Sequence, residues 1–279
     1  MDDRIWKRFL RQRLSLAGLM LILGILLIAS VSPVLAPYDP YAQHWGKEYA
    51  APGRPFVLGT DALGRDVMSQ LIWGARTSLL VALAGVVVAG ILGTAFGVAA
   101  GYFGGRIDQL GVMLTDTILT VPVFFLLIAV ASVLAVRSLP VMAIIIGLID
   151  WPMLARVVRA HVLSLRERTF IEAARALGVR DVAIVVRHIL PNSVAPIIVV
   201  STLSMARYIL YEAALAFVGL GDPEAISWGT LLAQGRSVMY TAWWLTLLPG
   251  IMIFVTVLGF NLGGDGLRDA CDVRLVERG

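Results

Sequence analysis

Long apolar stretches alternate with short polar segments along this chain, and six of the stretches can form membrane helices. A transmembrane helix needs about 20 mostly apolar residues, because each residue adds only about 1.5 Å along the axis. The fourth stretch is short for this purpose. The predicted spans are Leu14–Leu35, Leu79–Gly101, Val112–Val136, Leu139–Leu154, Val194–Phe217 and Trp243–Gly263. The pattern therefore predicts an all-α membrane protein with six transmembrane helices.

The positive charges between these spans indicate how the chain crosses the membrane. With the N-terminus inside, the inner segments carry 16 arginines and lysines and the outer segments carry six. Cytoplasmic segments are enriched in these residues, so we expect both termini to be cytoplasmic. The uncharged stretch Leu14–Tyr38 is longer than the apolar region of a signal peptide. We therefore expect an uncleaved first helix.

Composition places the chain in lipid. Hydrophobic residues make up 58% of it and charged residues 15%, whereas soluble domains average about 25% charged residues. The net charge of +4 comes from arginines beside apolar spans, which topology explains, so we expect no nucleic-acid partner. Cys271 is the only cysteine, which excludes an intrachain disulfide.

Motifs for catalysis or nucleotide binding are absent from the sequence. A phosphate-binding loop needs a Gly-Lys-Ser or Gly-Lys-Thr sequence, and neither Lys7 nor Lys47 lies in one. His44, His161 and His188 lack the spacing of a metal site, and no Gly-x-Ser-x-Gly element occurs. We expect no catalysis, cofactor or metal on this chain. The alternative is a membrane-embedded enzyme that uses carboxylates in the spans.

The segment Thr169–Pro191 is charged and helical in pattern, although it lies between the fourth and fifth spans. Thr169 and Glu172 have the spacing of a capping box at the start of a helix. Gly178 suits the left-handed position just after a helix end. The sequence therefore predicts a cytoplasmic helix of about two turns, which is too short to be stable alone in water.

The spacing of Phe170, Ala174 and Leu177 predicts that these residues share one face of this short helix. That face needs a packing partner. One alternative is the inner membrane surface of the same chain, and the other is a groove on a cytoplasmic partner. Beyond the helix, Asp181 is predicted to cap the next helix and Pro191 to open the fifth span.

The same segment carries a sequence signature. Glu172-Ala173-Ala174 is followed by Gly178 and, at the far end, by Leu190-Pro191. This spacing resembles the EAA signature of binding-protein-dependent ABC-transporter permeases, with His188 where the pattern usually has Ile. The resemblance implies the fold of type I importers, in which a cytoplasmic coupling helix docks on an ATPase. The docking residues that it implies are Phe170, Glu172, Ala173, Ala174, Leu177 and Gly178.

Four further stretches resemble the C-type subunit of the dipeptide, oligopeptide and nickel permease group. They are Leu58–Asp66, Gly74–Leu79, Phe217–Gly221 and Gly263–Asp269. The resemblance implies an inner-membrane permease that imports di- or oligopeptides, with nickel, glutathione or another small solute as the alternative. Outer contacts with the binding protein or the sister permease are expected at Asp61, Arg65, Asp66 and Trp228.

The resemblance also implies a set of partners in the bacterial cell membrane. A homologous B-type permease would complete the translocation path, and two cytoplasmic ATPases would bind ATP and Mg²⁺. An extracytoplasmic binding protein would deliver the solute. We divide the chain into an N-terminal region (1–75), a permease domain (76–268, with the EAA loop at about 156–191) and a cytoplasmic tail (269–279).

Four ionisable residues lie inside the predicted spans, where charges are costly and are candidates for function: Asp116, Asp150, Arg207 and Glu212. Asp116 and Asp150 are expected near the inner ends of their spans, satisfied by a local cap or by snorkelling. Arg207 and Glu212 point about 140° apart on one helix, so Arg207 needs a partner elsewhere. The two could hold a peptide's carboxylate and amine in the pathway, or they could belong to a structural ion-pair network.

Glycines repeat every four residues in two spans, at Gly93, Gly97 and Gly101 and again at Gly259 and Gly263. Small residues let helices approach closely in lipid. The repeats predict tight helix packing, and seams that slide during switching would have the same pattern.

Overall fold

A computed structural model of the chain describes residues 9–10, 12–134 and 137–271. The basic residues before Phe9, the predicted end of the third span at Val136 and the tail beyond Cys271 lie outside these residues. The helices are α1 (Arg13–Ser30), α2 (Ser32–Leu35), α3 (Val67–Phe103), α4 (Gly105–Thr120), α5 (Val123–Leu134), α6 (Leu139–Arg166), α7 (Thr169–Ala176), α8 (Asp181–Ile184), α9 (Leu190–Phe217), α10 (Trp228–Gly235) and α11 (Trp244–Cys271), with a π-helical turn at Val185–Ile189. The described part is therefore all-α, as predicted.

Five helices are long and apolar enough to cross a membrane, and the pair α4–α5 makes a sixth span if it is counted as one. The axes of α4 and α5 differ by 86°. The prediction of one continuous third span is therefore wrong. Pro122 explains the break, since proline lacks a backbone N–H and pushes the preceding residue out of the helical region. Val121 accordingly has extended backbone angles (φ −90°, ψ 130°).

Two other spans are longer than their apolar stretches. α3 has 37 residues and begins at Val67, where the Asp66 carboxylate caps it by accepting a bond from the Ser69 backbone N–H at 2.8 Å. α6 has 28 residues, so the fourth span is not short. Arg76 lies inside α3, and the division of the chain at this point stays a prediction.

The long helix α3 separates two faces of the molecule. Near its start, Trp228 donates its indole N–H to the Leu71 carbonyl at 3.0 Å, and the Tyr38 backbone N–H bonds the Ser69 hydroxyl. At its far end, Tyr102 contacts the α7–α8 segment. We call the first face, with residues 36–66, the outer face and the second the inner face. The charged segment and the irregular loop thus lie at opposite ends, as the span pattern predicts.

Glycines allow α3 and α6 to pack closely along their inner halves. A Cβ atom on Gly97 would lie 2.7 Å from the Ala155 carbonyl oxygen, and one on Gly101 would lie 2.9 Å from the Arg159 carbonyl oxygen. Neither position admits a side chain without displacement of a helix. The predicted tight packing is confirmed here. Gly259 and Gly263 face α1, where a Cβ atom would lie 3.1 Å from the Leu21 Cβ and 2.9 Å from the Ile22 Cδ1, respectively.

Candidate functional site

The short inner helix α7 has the predicted length but a different start. It spans eight residues, Thr169–Ala176, and its N-cap is Arg168. Thr169 is therefore already the first helical residue, and no side chain caps the helix. The Arg168 carbonyl accepts the Ile171 N–H at 2.9 Å and the Glu172 N–H at 3.2 Å. The predicted capping box is wrong, because a Thr in the first turn cannot adopt the extended conformation that an N-cap needs.

The end of α7 follows the prediction for Gly178. Gly178 has φ +76°, in the left-handed region. Its N–H donates to the Arg175 carbonyl at 2.9 Å, and the next N–H, of Val179, donates to the Ala174 carbonyl at 3.1 Å. This pair of bonds is the Schellman arrangement, which satisfies two carbonyls that the helix leaves unpaired. The turn after α7 is therefore well defined.

One face of α7 is anchored to its own chain. Ile171 is fully buried and Ala174 is 9% exposed. They belong to a hydrophobic cluster that includes Val158 and Val162 of α6 and Ile184 of α8. Of Phe170, Ala174 and Leu177, which the spacing assigns to one face, only Ala174 packs against the chain itself. Ile171 is the anchor that the prediction missed, although its spacing to Ala174 is that of one helix face.

The other face of α7 is open. Phe170 is 44% exposed and Leu177 is 84% exposed. His188, at the position where the signature usually has Ile, is half-buried and packs edge-on against Phe170 with ring centroids 6.3 Å apart. Five of the six predicted docking residues are exposed: Phe170, Glu172, Ala173, Leu177 and Gly178. An apolar, half-exposed ridge thus lies on the inner face.

Arg207 has its partner on another helix, as predicted. Its Nη2 lies 3.1 Å from Oδ2 of Asp150 on α6 and donates to the Ser204 hydroxyl at 2.8 Å. The Asp150 side chain is 5% exposed and the Arg207 side chain 35%. Asp150 is therefore satisfied by an ion pair between two spans, and the expectation of a local cap or of snorkelling is wrong for it.

Glu212 is separate from this pair. It is 1% exposed, and its Oε2 accepts a bond from the Ser78 hydroxyl of α3 at 3.0 Å. The Trp228 backbone N–H donates to the same Ser78 oxygen at 3.3 Å. Arg207 and Glu212 do not pair, as predicted. Glu212 instead joins α3, α9 and α10 near the outer face.

Two further ion pairs tie α4 to α6 towards the inner face. Arg159 holds Asp108 with both Nε and Nη2, the latter at 2.7 Å. Arg156 Nη2 lies 2.6 Å from Asp116 Oδ1, and both side chains are more than half exposed. Asp116 is thus paired across helices, not satisfied by a cap. The bidentate geometry at Arg159 fixes the orientation of α4 after the turn at Gly104.

Comparison with known proteins identifies the family. The model of the binding-protein-dependent transport system inner membrane component matches residues 93–277, and that of the N-terminal membrane domain of oligopeptide transport permease C matches residues 3–52. This chain belongs to the binding-protein-dependent transport permeases. It is a multi-pass membrane protein and a transport subunit.

Curated relatives of this permease match over nearly its whole length. A dipeptide transport system permease protein of Alkalihalophilus pseudofirmus is 40% identical over 97% of this chain and 89% of its own. A di/tripeptide transport system permease protein of Pseudomonas aeruginosa is 39% identical over 97% and 91%. A glutathione transport system permease protein of Pectobacterium atrosepticum is 37% identical over 97% and 90%.

A solved structure supports the permease fold. The inward-facing methionine ABC transporter aligns with a TM-score of 0.56 at 18% sequence identity, covering 74% of this chain and 98% of that chain. The likeness establishes the type I importer fold that the sequence signature predicted. The sequence signature predicts that α7 is the coupling helix of that fold, and the name coupling helix is used for it from here on.

Asp61, Asp66 and Trp228, which were predicted to contact partners at the outer face, bond instead to residues of the same chain. Asp61 is fully buried and accepts bonds from the Arg65 side chain at 2.6 Å and the Gln70 amide at 2.9 Å. Asp66 caps α3, and Trp228 is fully buried against Leu71. These residues shape the outer face. Contact of that face with a partner stays a prediction, and its exposed residues would have to make it.

Proposed function

We propose that this permease is the C-type subunit of an ATP-driven importer that moves di- or oligopeptides from an extracytoplasmic binding protein into the cytoplasm. The observation that carries the proposal is the geometry of the coupling helix. Ile171 and Ala174 fasten it to its own chain, whereas Phe170 and Leu177 leave an exposed apolar ridge. Exposed apolar ridges of this kind suit a hydrophobic groove on a partner.

The partners follow from the same reasoning. A homologous B-type permease completes the path, two cytoplasmic ATPases bind ATP and Mg²⁺, and the protein lies in the bacterial inner membrane with both termini in the cytoplasm. The sequence lacks a phosphate-binding loop, so the energy of ATP must enter from other chains. The exposed ridge on the inner face is where we expect one ATPase to dock.

The solute is argued from the relatives. Proteins named as dipeptide or di/tripeptide permeases are 40% and 39% identical to this chain. A protein named as a glutathione permease is 37% identical, which makes glutathione the second candidate. Both solutes carry free carboxylates and a free amino group, so the membrane path needs groups that accommodate both charges.

Arg207 is the candidate pathway residue with the best geometry. It lines a cavity of about 700 Å³ between α6, α9 and α11. Its Nη2 is used by Asp150 and Ser204, and 35% of the side chain stays exposed. We propose that this side chain, which faces the cavity, binds a solute carboxylate. Glu212 is buried and bonded to Ser78, so we propose a structural role for it in this conformation.

Purification of the tagged permease, expressed with its neighbouring genes, tests the proposal. Two ATPase chains and a second permease should copurify in mild detergent, and the complex in proteoliposomes should import peptide only with ATP and the binding protein. Leu177→Asp should remove the ATPase that docks on this chain and so lower the amount of copurified ATPase, because it places a charge on the exposed ridge. Tyr240→Asp is the matched control, since Tyr240 is 96% exposed near the outer face.

Copurification of the permease without any ATPase, or ATP-independent turnover of a solute by the isolated chain, would refute an ABC importer. Equal loss of ATPase from Leu177→Asp and Tyr240→Asp would remove the coupling helix as the docking element. Competition between labelled dipeptide and glutathione for the purified binding protein would decide between the two solutes.

A further inference from the structure

Tyr102 lies in the last turn of α3, at its inner end. It is 3% exposed. Its hydroxyl donates a bond to Oδ1 of Asp181 at 2.6 Å, which is short for a neutral donor and typical of a carboxylate acceptor. Asp181 is the first residue of α8, so it does not cap that helix in the way the sequence predicted. The carboxylate is instead committed to a residue 79 positions earlier in the chain.

Two arginines contact the same tyrosine from other elements. The guanidinium carbon of Arg175, in the last turn of the coupling helix, lies 5.1 Å from the Tyr102 ring centroid, within range of a cation–π interaction. Arg166 Nη1, at the end of α6, donates to the Tyr102 carbonyl at 3.2 Å. Tyr102 therefore contacts residues before, within and after the coupling helix.

These contacts lie where they can restrict movement of the turn after the coupling helix relative to α3. Arg175 and Asp181 lie on the two sides of the turn at Gly178. Val179 and Arg180, between them, are exposed. Ile171 and Ala174 attach the helix through apolar contacts, which are non-directional and permit sliding. The Tyr102 hydroxyl bond is directional, so it holds the turn in one orientation relative to α3.

α3 can carry a displacement across the membrane. Its inner half is packed on α6 without room for a Cβ at Gly97 or Gly101. The helix runs unbroken for 37 residues to Val67 at the outer face. A movement of the coupling helix that is passed to Tyr102 therefore reaches the outer face through one continuous element.

We propose that Tyr102 is the positioning residue that connects the coupling helix to α3, so that a displacement by the docked ATPase moves this span. The proposal rests on the proposed function, because it needs an ATPase on the coupling helix. It adds a residue outside the EAA segment to the path by which ATP hydrolysis drives transport.

A double-mutant cycle in the reconstituted importer tests this role. Tyr102→Phe removes the hydroxyl bond and retains the ring under Arg175, and Asp181→Ala removes the acceptor. The measured quantity is the number of solute molecules imported per ATP hydrolysed. Each single variant should lower this ratio about twofold to tenfold, the factor expected for one hydrogen bond. The double variant should be no worse than the more severe single variant.

The controls distinguish a failure of the role proposed for Tyr102 from a failure of the proposed importer function. Tyr240→Phe removes a hydroxyl near the outer face and should keep the wild-type ratio. Quantified copurification of the ATPases with each variant reports assembly, which a merely structural role would lower and the proposed role would not. A wild-type ratio in Tyr102→Phe, additive losses in the double variant, or loss of ATPase binding would overturn the role of Tyr102. Absence of ATPases from the wild-type complex would refute the proposed function itself.

Discussion

The Arg207 guanidinium joins α9 to α6 through Asp150, with Nη2 and Oδ2 3.1 Å apart. The Asp150 carboxylate is almost completely buried. Inside a membrane each charge is costly alone, and breaking a buried pair leaves the other member uncompensated. A change of charge at Arg207 or Asp150 is therefore tolerated better when the other residue changes as well.

Removal of either charge should destabilise the permease more than removal of both. Arg207→Gln or Asp150→Asn should cost about 3–5 kcal/mol, the usual range for breaking a buried pair. The variant with both changes should regain part of that loss. Thermal unfolding in detergent, followed by tryptophan fluorescence, checks this, with the exposed Arg54→Gln as control. A loss in the double variant that equals the sum of the two single losses would show that the two residues act independently.

The same double variant also tests the pathway role of Arg207. If the guanidinium holds a solute carboxylate, a folded Asp150→Asn, Arg207→Gln importer should lose uptake and keep its ATPase subunits. Uptake at the wild-type level would restrict Arg207 to a structural ion pair.

Gly97 should not tolerate a methyl group, whereas Gly90 should. A Cβ on Gly97 would lie 2.7 Å from both the Ala155 carbonyl oxygen and the Val158 Cβ, but Gly90 has no atom within 4 Å of that position. Gly97→Ala should therefore cost about 1–3 kcal/mol, as overpacking does. Gly90→Ala should be neutral or slightly stabilising, since Ala favours helix more than Gly. Similar unfolding midpoints for the two variants would contradict the close contact of α3 and α6.

Gly178→Ala should loosen the turn after the coupling helix. Its φ of +76° costs a residue with a Cβ about 1–2 kcal/mol, although the space around it is open. Cleavage by trypsin after Arg175 or Arg180 in inside-out vesicles should become about fivefold to thirtyfold faster, because a cost of about 1–2 kcal/mol shifts the local opening equilibrium by that factor. Gly250→Ala, at a helical glycine with the same open surroundings, should leave cleavage unchanged. Gly178→Asn should lie between the two, since Asn tolerates this conformation better than Ala.

Asp61→Ala should weaken the outer face. The change leaves the buried Gln70 amide and the Arg65 guanidinium without their carboxylate partner. We expect a loss of about 1–3 kcal/mol, the cost of an unsatisfied buried polar group. Asp39→Ala, at an exposed carboxylate that accepts a bond from the Tyr41 N–H, is the matched control. Faster proteolysis of the outer segment in the first variant alone is the expected result.

Sequence patterns predicted the elements whose signals are local. Apolar length located the spans, and the turn at Gly178 followed from backbone chemistry. The fifth span is helical from Asp181 onwards, so the prediction that Pro191 opens it is wrong. The start of α3 was placed too late because the polar residues between Asp66 and Ser78 resemble a loop. Pro122 carried a local signal for the break between α4 and α5, which apolar length alone concealed.

The partners that side chains meet on other helices could not be predicted from the sequence. The chemistry of Arg207 required a partner on another helix, but nothing local identified Asp150. Tyr102 has no signal of its own, since a tyrosine at the end of an apolar stretch is common at membrane interfaces. Its role depends on Asp181, which the fold brings 79 positions along the chain to meet it. The buried state of Asp61 likewise depends on Gln70 from the next helix.

The length of α3 has a mechanical consequence. Thirty-seven helical residues extend roughly 55 Å, well beyond the ~30 Å hydrocarbon thickness. A rigid rod of that length works as a lever: a tilt of about 5° would displace one tip by about 5 Å relative to the other. A displacement at the inner end of α3 can thus produce a displacement at its outer end without any bending of the helix inside the lipid.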